Sequence, residues 1–206
     1  MVTRDIAARG ITDPRVLAAL NAVPRERFLP IELAESAYDD HPLPIAEHQT
    51  ISQPYIVAFM AQAAEVTDRD RVLEVGTGSG YGAAVLSRLA AEVWTIERHP
   101  ALSEQAATIL HELGIDNVHL ESGDGSLGWP DGAPYDAIVV TAGAPRVPPA
   151  LVEQLADSGR LVIPIGPESL RQELVRVRKN GGTPSQEELG GVRFVPLLGS
   201  QGWHED

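Results

Sequence analysis

The chain has 206 residues, of which 43% are hydrophobic and 22% are charged, a composition typical of one folded globular domain. Its formal net charge of -13 would repel a partner rich in phosphate, so we expect no nucleic-acid substrate. The absence of cysteine excludes disulfides, thiol nucleophiles and cysteine metal sites, and without a signal peptide or an apolar run of about 18 residues we expect a cytoplasmic protein that binds no membrane.

The first part of the chain, residues 1–66, has the pattern of short helices joined by irregular segments. Asp13 followed by Pro14 predicts a helix start, because Asp is a good N-cap and proline fits the first helical position. Pro24 would end this helix. Its predicted apolar face consists of Val16, Ala19, Leu20 and Val23.

A proline-punctuated segment, residues 41–55, precedes an apolar helix predicted over residues 56–66. We expect this segment to close over a binding site. Ser52 has two interpretations: it caps that helix, or its hydroxyl and nearby backbone N–H groups face an anion at the helix N-terminus. The residues alone favour the cap and leave the anion site open.

Residues 72–80 are the most informative part of the chain: an apolar strand, then a turn with glycine at alternate positions, then a helix predicted over about residues 79–89. A dinucleotide-binding turn has glycine at its sixth position, where this chain has Tyr81. Glu74 lies two residues before the first glycine, and a carboxylate there would repel a pyrophosphate and attract a cationic ligand. This combination resembles the S-adenosylmethionine loop of methyltransferases.

Two more acidic residues follow later strands. Glu97 ends a strand predicted over residues 92–97, at the position where related folds bind ribose hydroxyls. Asp124 follows a third apolar run and is a candidate to accept a hydrogen bond from an adenine amino group. Three acids at successive strand ends, with no basic residue in the glycine turn, fit a sulfonium nucleoside better than a phosphate.

Alternating strands and helices over residues 71–165 predict a parallel sheet covered on both faces. The strands are predicted at residues 71–75, 92–97, 117–121, 135–140 and 160–165, and a helix is predicted from Pro100 until Gly114 stops it. After residue 170 the pattern changes. Residues 173–178 and 192–198 each have the pattern of a strand, and the simplest account is an antiparallel pair at the sheet edge.

Seven sequence blocks resemble the protein-L-isoaspartate O-methyltransferase family, and they cover nearly the whole chain in the family's order. The block at residues 49–55, which contains Thr50, Ile51 and Ser52 and lies ahead of the glycine loop, is the most specific. The other blocks are residues 25–30 with 37–38, 73–81, 123–125, 133–138 with 141–142, 159–164 and 192–197.

This resemblance implies a single α/β domain with the doubly wound, Rossmann-like fold of S-adenosylmethionine-dependent methyltransferases. The implied sheet is mostly parallel and seven-stranded, with an antiparallel edge. An N-terminal helical and lid segment (residues 1–66) would precede the cofactor-binding core (residues 67–166), and strands on the substrate side (residues 167–206) would follow it. The resemblance also implies S-adenosyl-L-methionine as methyl donor and S-adenosyl-L-homocysteine as product.

The substrates that the resemblance implies are isoaspartyl-containing proteins and peptides, methylated on the free α-carboxylate. The ester then closes to a succinimide that hydrolyses partly to aspartate, which makes the reaction a repair. Ser52 would be the catalytic residue, and Gln49, Thr50, Ile51 and Val195 would join it in binding the substrate. The implied cofactor-binding residues are Glu74, Gly76, Thr77, Gly78, Ser79, Gly80, Glu97, Asp124 and Gly125.

Other functions stay open at this point. A methyltransferase of an aspartate in a modified peptide, or of a small molecule, would use the same cofactor site, and a binding module that senses the nucleoside is a non-enzymatic alternative. Ala46 and His48 stand where bacterial relatives commonly have glycine, so the lid could be narrower or stiffer. The six histidines lack metal-site spacing, so we expect no metal, and we expect a monomer.

Overall fold

The computed structural model describes residues 1–167 and 171–204, in which a central sheet is covered by helices on both faces. The helices are α1 (Pro14–Ala22), α2 (Pro54–Ala63), α3 (Tyr81–Ser87), α4 (Pro100–Glu112) and α5 (Pro149–Glu153). The strands are β1 (Leu43–Pro44), β2 (Thr50–Ile51), β3 (Arg71–Val75), β4 (Glu92–Glu97), β5 (Val118–Ser122), β6 (Tyr135–Val140), β7 (Leu155–Ile165), β8 (Gln172–Asn180) and β9 (Thr183–Val192). Within this part of the chain, no helix has the length and apolarity needed to span a bilayer.

The main sheet has the strand order β5-β4-β3-β6-β7-β8-β9, which confirms the predicted fold class. The strands from β5 to β7 run parallel to one another, whereas β8 pairs antiparallel with both β7 and β9. The central strand β3 is apolar because helices cover both faces of the sheet there, and Val72 and Leu73 are fully buried. A parallel sheet of this kind brings the ends of β3, β4 and β6 to one edge, where the glycine turn follows β3.

Helix α1 begins as predicted. The Asp13 side chain accepts a hydrogen bond from the Arg15 backbone N–H (2.8 Å), and Pro14 occupies the first turn. The predicted apolar residues of this helix are all buried, and the helix ends at Ala22, ahead of Pro24. The N-terminal helical layer is thereby fixed against the same core as the sheet.

The predicted strand over residues 192–198 is wrong. The partner of β8 is β9 (Thr183–Val192), whose side chains are almost all exposed, so this edge strand carries no apolar alternation that a sequence pattern could reveal. Residues 193–198 instead lie against the loop after β6, where Gly143 N–H donates to Val195 O (2.7 Å) and Leu197 N–H donates to Gly143 O (2.8 Å). Leu197 is buried there, which explains why the segment is apolar.

Two helix starts also differ from the prediction. Gln53 occupies the N-cap position of α2, without a side-chain cap hydrogen bond, so Ser52 does not cap this helix. Helix α3 begins at Tyr81 because Gly80 has a left-handed backbone (φ 89°), which an α-helix cannot include. Both differences leave the residues before the helix free to line a site.

Candidate active site

The glycine turn between β3 and α3 lies at the carboxyl edge of the sheet and lines a cleft. At Gly76 (φ 96°) a Cβ atom would lie 2.4 Å from Thr141 Oγ1, so only glycine fits this position. Thr141 follows β6, and its single hydroxyl proton is shared between the carbonyl oxygens of Val75 (3.0 Å) and Gly76 (2.8 Å). The turn is therefore held from the neighbouring strand, with its backbone open to the cleft.

Glu74 lies on β3 beneath this cleft and is only 1% exposed. Its carboxyl accepts a hydrogen bond from the Thr95 hydroxyl (2.7 Å). The Thr77 and Thr95 hydroxyl oxygens are also 2.7 Å apart. Because Thr95 uses its one hydroxyl proton on Glu74, Thr77 is the donor in this second hydrogen bond. Burial, assisted by the nearby charge of Glu97, raises the pKa of Glu74 to about 8 against the opposing effect of the Thr95 hydrogen bond. A buried acid of this kind is suited to a ligand that brings positive charge.

Glu97, at the end of β4, holds the backbone on both sides of the cleft. One carboxylate oxygen accepts from Gly78 N–H (2.8 Å) and the other from His99 N–H (3.0 Å). The carboxylate is 5% exposed and lines the cleft. Each oxygen has a second lone pair, so the side chain can still accept hydrogen bonds from two hydroxyl groups of a ligand.

Asp124 lies next to this cleft rather than in its wall. Its carboxylate accepts from the Ser126 hydroxyl (2.6 Å), from Ser126 N–H (2.9 Å) and from Ser200 N–H (2.7 Å). Burial pushes the pKa of Asp124 upward, but these hydrogen bonds together outweigh burial and leave the pKa below its usual value. Asp124 thus fastens the C-terminal segment to the loop after β5, and the neighbouring Gly125 lines the cleft.

A short hairpin, β1 and β2, covers the cleft from the N-terminal side. Its turn has a hydrogen bond from Gln49 N–H to Ala46 O (3.1 Å), and both central residues, Glu47 and His48, have a φ of 55°. Glycine adopts this left-handed geometry more cheaply than other residues, by about 1–2 kcal/mol per residue. The effect of the larger side chains on lid stiffness stays a prediction.

Ser52 follows β2 and is partly exposed to the cleft. Within the part of the chain that the structure describes, its hydroxyl has no hydrogen-bond partner. A second, larger groove begins on the other side of Ser52, and the residues that line both spaces are Thr50, Ser52, Thr141 and Val195. The Ser52 hydroxyl thus stands at the passage between the two spaces.

Most predicted site residues meet at this cleft. Those that line it are Gln49, Thr50, Ile51, Ser52, Glu74, Gly76, Thr77, Gly78, Ser79, Glu97, Gly125 and Val195. Gly80 does not line it, because it packs against α4, where a Cβ atom would lie 3.1 Å from Ala106 Cβ. Among the described residues no group of three or more metal-binding side chains is present.

Two threonines of the site are not among the residues predicted from the sequence. Thr95 connects Glu74 to Thr77, and Thr141 anchors the glycine turn. The position of Thr141 directly after the fourth strand of the core was a usable signal, because ligands bind beyond the carboxyl ends of such strands. Thr95 lies inside β4, where threonine is an ordinary strand residue, so no comparable signal marked it.

Comparisons with known proteins agree with this geometry. A family model described as Protein-L-isoaspartate(D-aspartate) O-methyltransferase (PCMT) matches residues 1–202. A protein-L-isoaspartate O-methyltransferase of Protochlamydia amoebophila (strain UWE25) is 57% identical over 204 residues, which cover 98% of this chain and 97% of the relative. One of Rhodopseudomonas palustris (strain ATCC BAA-98 / CGA009) is 54% identical over 206 residues, covering 100% of this chain and 94% of the relative.

Solved structures of the same family are similar to this chain over most of its length. A protein-L-isoaspartate O-methyltransferase superposes with a TM-score of 0.85 at 32% identity. The match covers 95% of this chain and 64% of the other chain, which is longer, so this chain spans less than two thirds of it. A protein-L-isoaspartate O-methyltransferase structure from Plasmodium falciparum, described as a complex with S-adenosyl-L-homocysteine, superposes with a TM-score of 0.81 at 27% identity. That match covers 93% of this chain and 94% of the other.

Proposed function

This chain belongs to the protein-L-isoaspartate(D-aspartate) O-methyltransferase family, and we propose that Ser52, Glu74 and Glu97 form the centre of its active site. It is an S-adenosylmethionine-dependent enzyme that methylates the free α-carboxylate of L-isoaspartyl residues and so starts their repair. The proposal on the residues rests on one observation: the acid-lined cleft and the larger groove meet at Ser52 and Thr141.

The residues of the cleft fit S-adenosylmethionine. The ligand carries positive charge at its methionine end, and the buried carboxyl of Glu74 would lie beside that charge. The free lone pairs of Glu97 suit ribose hydroxyls, and the backbone of residues 76–79 is open to close approach. For the adenine end we propose Gly125 and Asp124, with the Asp124 carboxylate already partly engaged by Ser126 and Ser200.

The acceptor needs little activation. The free acid of an isoaspartyl residue is an α-carboxyl with a pKa of about 3.5, so it is already ionised at neutral pH and requires no general base. Bound S-adenosylmethionine supplies a methyl group on a sulfonium, so that a C–O bond forms as the C–S bond breaks and S-adenosyl-L-homocysteine leaves. The chain's own task is therefore alignment, which can contribute up to about 7–11 kcal/mol in ideal intramolecular reactions.

Ser52 is the residue that we assign to this alignment. Its hydroxyl, which has no partner among the described residues, can donate a hydrogen bond to the substrate carboxylate at the passage between groove and cleft. Gln49, Thr50, Ile51 and Val195 would surround the same carboxylate. Ile51 is buried and apolar, and a dry wall favours a reaction in which an anion and a cation neutralise each other.

A direct test compares an isoaspartyl peptide with its aspartyl twin as acceptors of a labelled methyl group. We expect methyl ester only on the isoaspartyl peptide, because the two differ in which carboxylate is free. A cyclic peptide and a small carboxylic acid serve as further acceptors, since they represent the alternative methyltransferases. Methylation of the aspartyl peptide or of a small acid alone would contradict the proposal.

Replacing Glu97 with Ala is expected to weaken binding of S-adenosylmethionine by about 1.5–3 kcal/mol, the usual scale for hydrogen bonds to a charged group. Part of this loss arises because the backbone N–H groups of Gly78 and His99 also lose the carboxylate to which they donate. Titration calorimetry measures the dissociation constant, with Glu104→Ala on the exposed face of α4 as the matched control. An unchanged dissociation constant would remove Glu97 from the site.

We further propose that the whole chain acts as one domain and as a monomer in the cytoplasm. The continuous sheet from β5 to β9 supports the first point, and the absence of cysteine is consistent with a reducing compartment. The net charge of -13 supports proteins and peptides, rather than nucleic acid, as partners.

A further inference from the structure

The groove outside Ser52 has a volume of about 1160 Å³, above the roughly 300–1,000 Å³ of usual small-molecule pockets. It runs from the passage at Ser52 between the N-terminal layer and the segment after β9. Its size fits a stretch of polypeptide better than a single amino acid, so residues next to the isoaspartyl residue would lie in it.

The groove has a charge opposite to that of the protein as a whole. The chain carries 29 acidic and 16 basic residues, yet the described residues that line the groove include three arginines, Arg9, Arg171 and Arg193, and no acidic residue. Charges separated by more than about 8–10 Å are largely screened at physiological salt. A bound peptide would therefore respond to these arginines more than to the distant acidic surface.

The three arginines are not equivalent. Arg9 pairs with Asp40 (2.5 Å) and lies over the Tyr55 ring, 3.6 Å from its centroid, so its charge is largely compensated. Arg171 and Arg193 are exposed, and neither has an ion pair with any residue that the structure describes. Their charges are available to a ligand.

Arg171 lies beside the sheet edge. It precedes β8 and lies against Gly191 of β9, where a Cβ atom would come within 1.7 Å of the Arg171 Nε atom. The absence of a side chain at Gly191 thus leaves room for the Arg171 guanidinium group beside β9.

We propose that Arg171 and Arg193 bind acidic side chains that flank the isoaspartyl residue, so that this enzyme selects acidic segments of damaged proteins over basic ones. The inference rests on the proposed function, because it places the isoaspartyl residue at Ser52. An exposed charge pair contributes about 0.2–1 kcal/mol, or roughly 1.5-fold to fivefold per arginine. Two arginines together predict a preference of about twofold to 25-fold between acidic and neutral flanks.

The experiment uses isoaspartyl peptides that differ only in their flanking residues, which are Glu, Gln or Lys on the N-terminal side, the C-terminal side or both. Methyl transfer gives KM and kcat, and fluorescence anisotropy of labelled peptides gives binding without the reaction. We expect the Glu peptides to have the lowest KM with little change in kcat, and the preference to shrink as salt rises.

Arg171→Gln and Arg193→Gln are expected to reduce the preference for Glu, each by about 1.5-fold to fivefold. Arg88→Gln, an exposed arginine at the far end of α3, is the matched control and should retain the preference.

The possible results distinguish a failure of the acidic-groove inference from a failure of the proposed function. Methylation of all isoaspartyl peptides with equal KM, or a preference that survives in both arginine variants, would overturn the acidic groove and leave the proposed function intact. Tight binding of the acidic peptide that depends on Arg171 and Arg193, without methyl transfer to any peptide, would support the groove and contradict the proposed function.

Discussion

Ser52→Ala is expected to lower kcat/KM for an isoaspartyl peptide by about 10–100-fold while the dissociation constant of S-adenosylmethionine stays nearly unchanged. The reason is that a hydrogen bond to a charged group is worth about 1.5–3 kcal/mol, and here the bond would orient the reacting carboxylate. The stability of the protein should not change, since Ser52 does not cap α2 and its hydroxyl has no partner among the described residues.

Three measurements check this expectation: methyl transfer kinetics, calorimetry with the cofactor, and thermal unfolding. Ser185→Ala, on the exposed strand β9, removes a hydroxyl far from the passage and is the matched control. Ser52→Thr keeps a hydroxyl and should recover part of the activity if the group donates a hydrogen bond. Equal losses of cofactor affinity and of methyl transfer in Ser52→Ala would show that the serine only supports the structure.

The sequence predicted the central sheet well because a strand that is buried on both faces is a continuous run of apolar residues. The predicted bounds 71–75, 92–97 and 135–140 coincide with β3, β4 and β6. Strand β9 was missed for the opposite reason: it is an exposed edge with polar residues on both faces. The apolar residues that suggested a strand at 192–198 belong to a segment that packs across the carboxyl edge of the sheet.

The candidate site could be predicted to the extent that topology decides it. Glu74 and Glu97 lie at one edge because parallel strands end there, and the glycine turn brings Gly76 and Gly78 to the same place. The side-chain contacts could not be predicted from a pattern. Whether Asp124 faces a ligand or its own loop depends on Ser126 and Ser200, and Ser200 is 76 positions away in the chain.

The buried carboxyl of Glu74 makes a second, larger prediction, on the pH dependence of stability. Its pKa in the folded protein is raised to about 8 from an ordinary value of 4.5, mainly by burial. A carboxyl whose folded pKa is raised binds its proton more tightly in the folded state, so folding is favoured most below pH 4.5 and this advantage is lost as the pH rises to about 8. Stability should fall by up to about 1.4 kcal/mol per pH unit in this window.

Glu74→Gln isolates the effect, since glutamine mimics the protonated acid and every other titrating group is present in both proteins. We expect wild type and variant to unfold at similar temperatures near pH 5, and the variant to become the more stable of the two by several kcal/mol at most as the pH approaches 8.5. Thermal unfolding without cofactor at a series of pH values measures the difference. Parallel curves for the two proteins would contradict a buried, protonated Glu74.

The same proton connects Glu74 to cofactor binding. A cation beside Glu74 requires the carboxylate form, so binding near pH 7 should release close to one proton in the wild type and none in Glu74→Gln, and the wild-type affinity should rise with pH up to about 8. Calorimetry in two buffers of different ionisation enthalpy counts this proton. If S-adenosyl-L-homocysteine releases it as well, Glu74 responds to the ammonium group that both ligands carry. If only S-adenosylmethionine does, the carboxylate responds to the sulfonium itself, and Glu74 then stabilises the methyl donor before transfer and loses that interaction once the charge is gone.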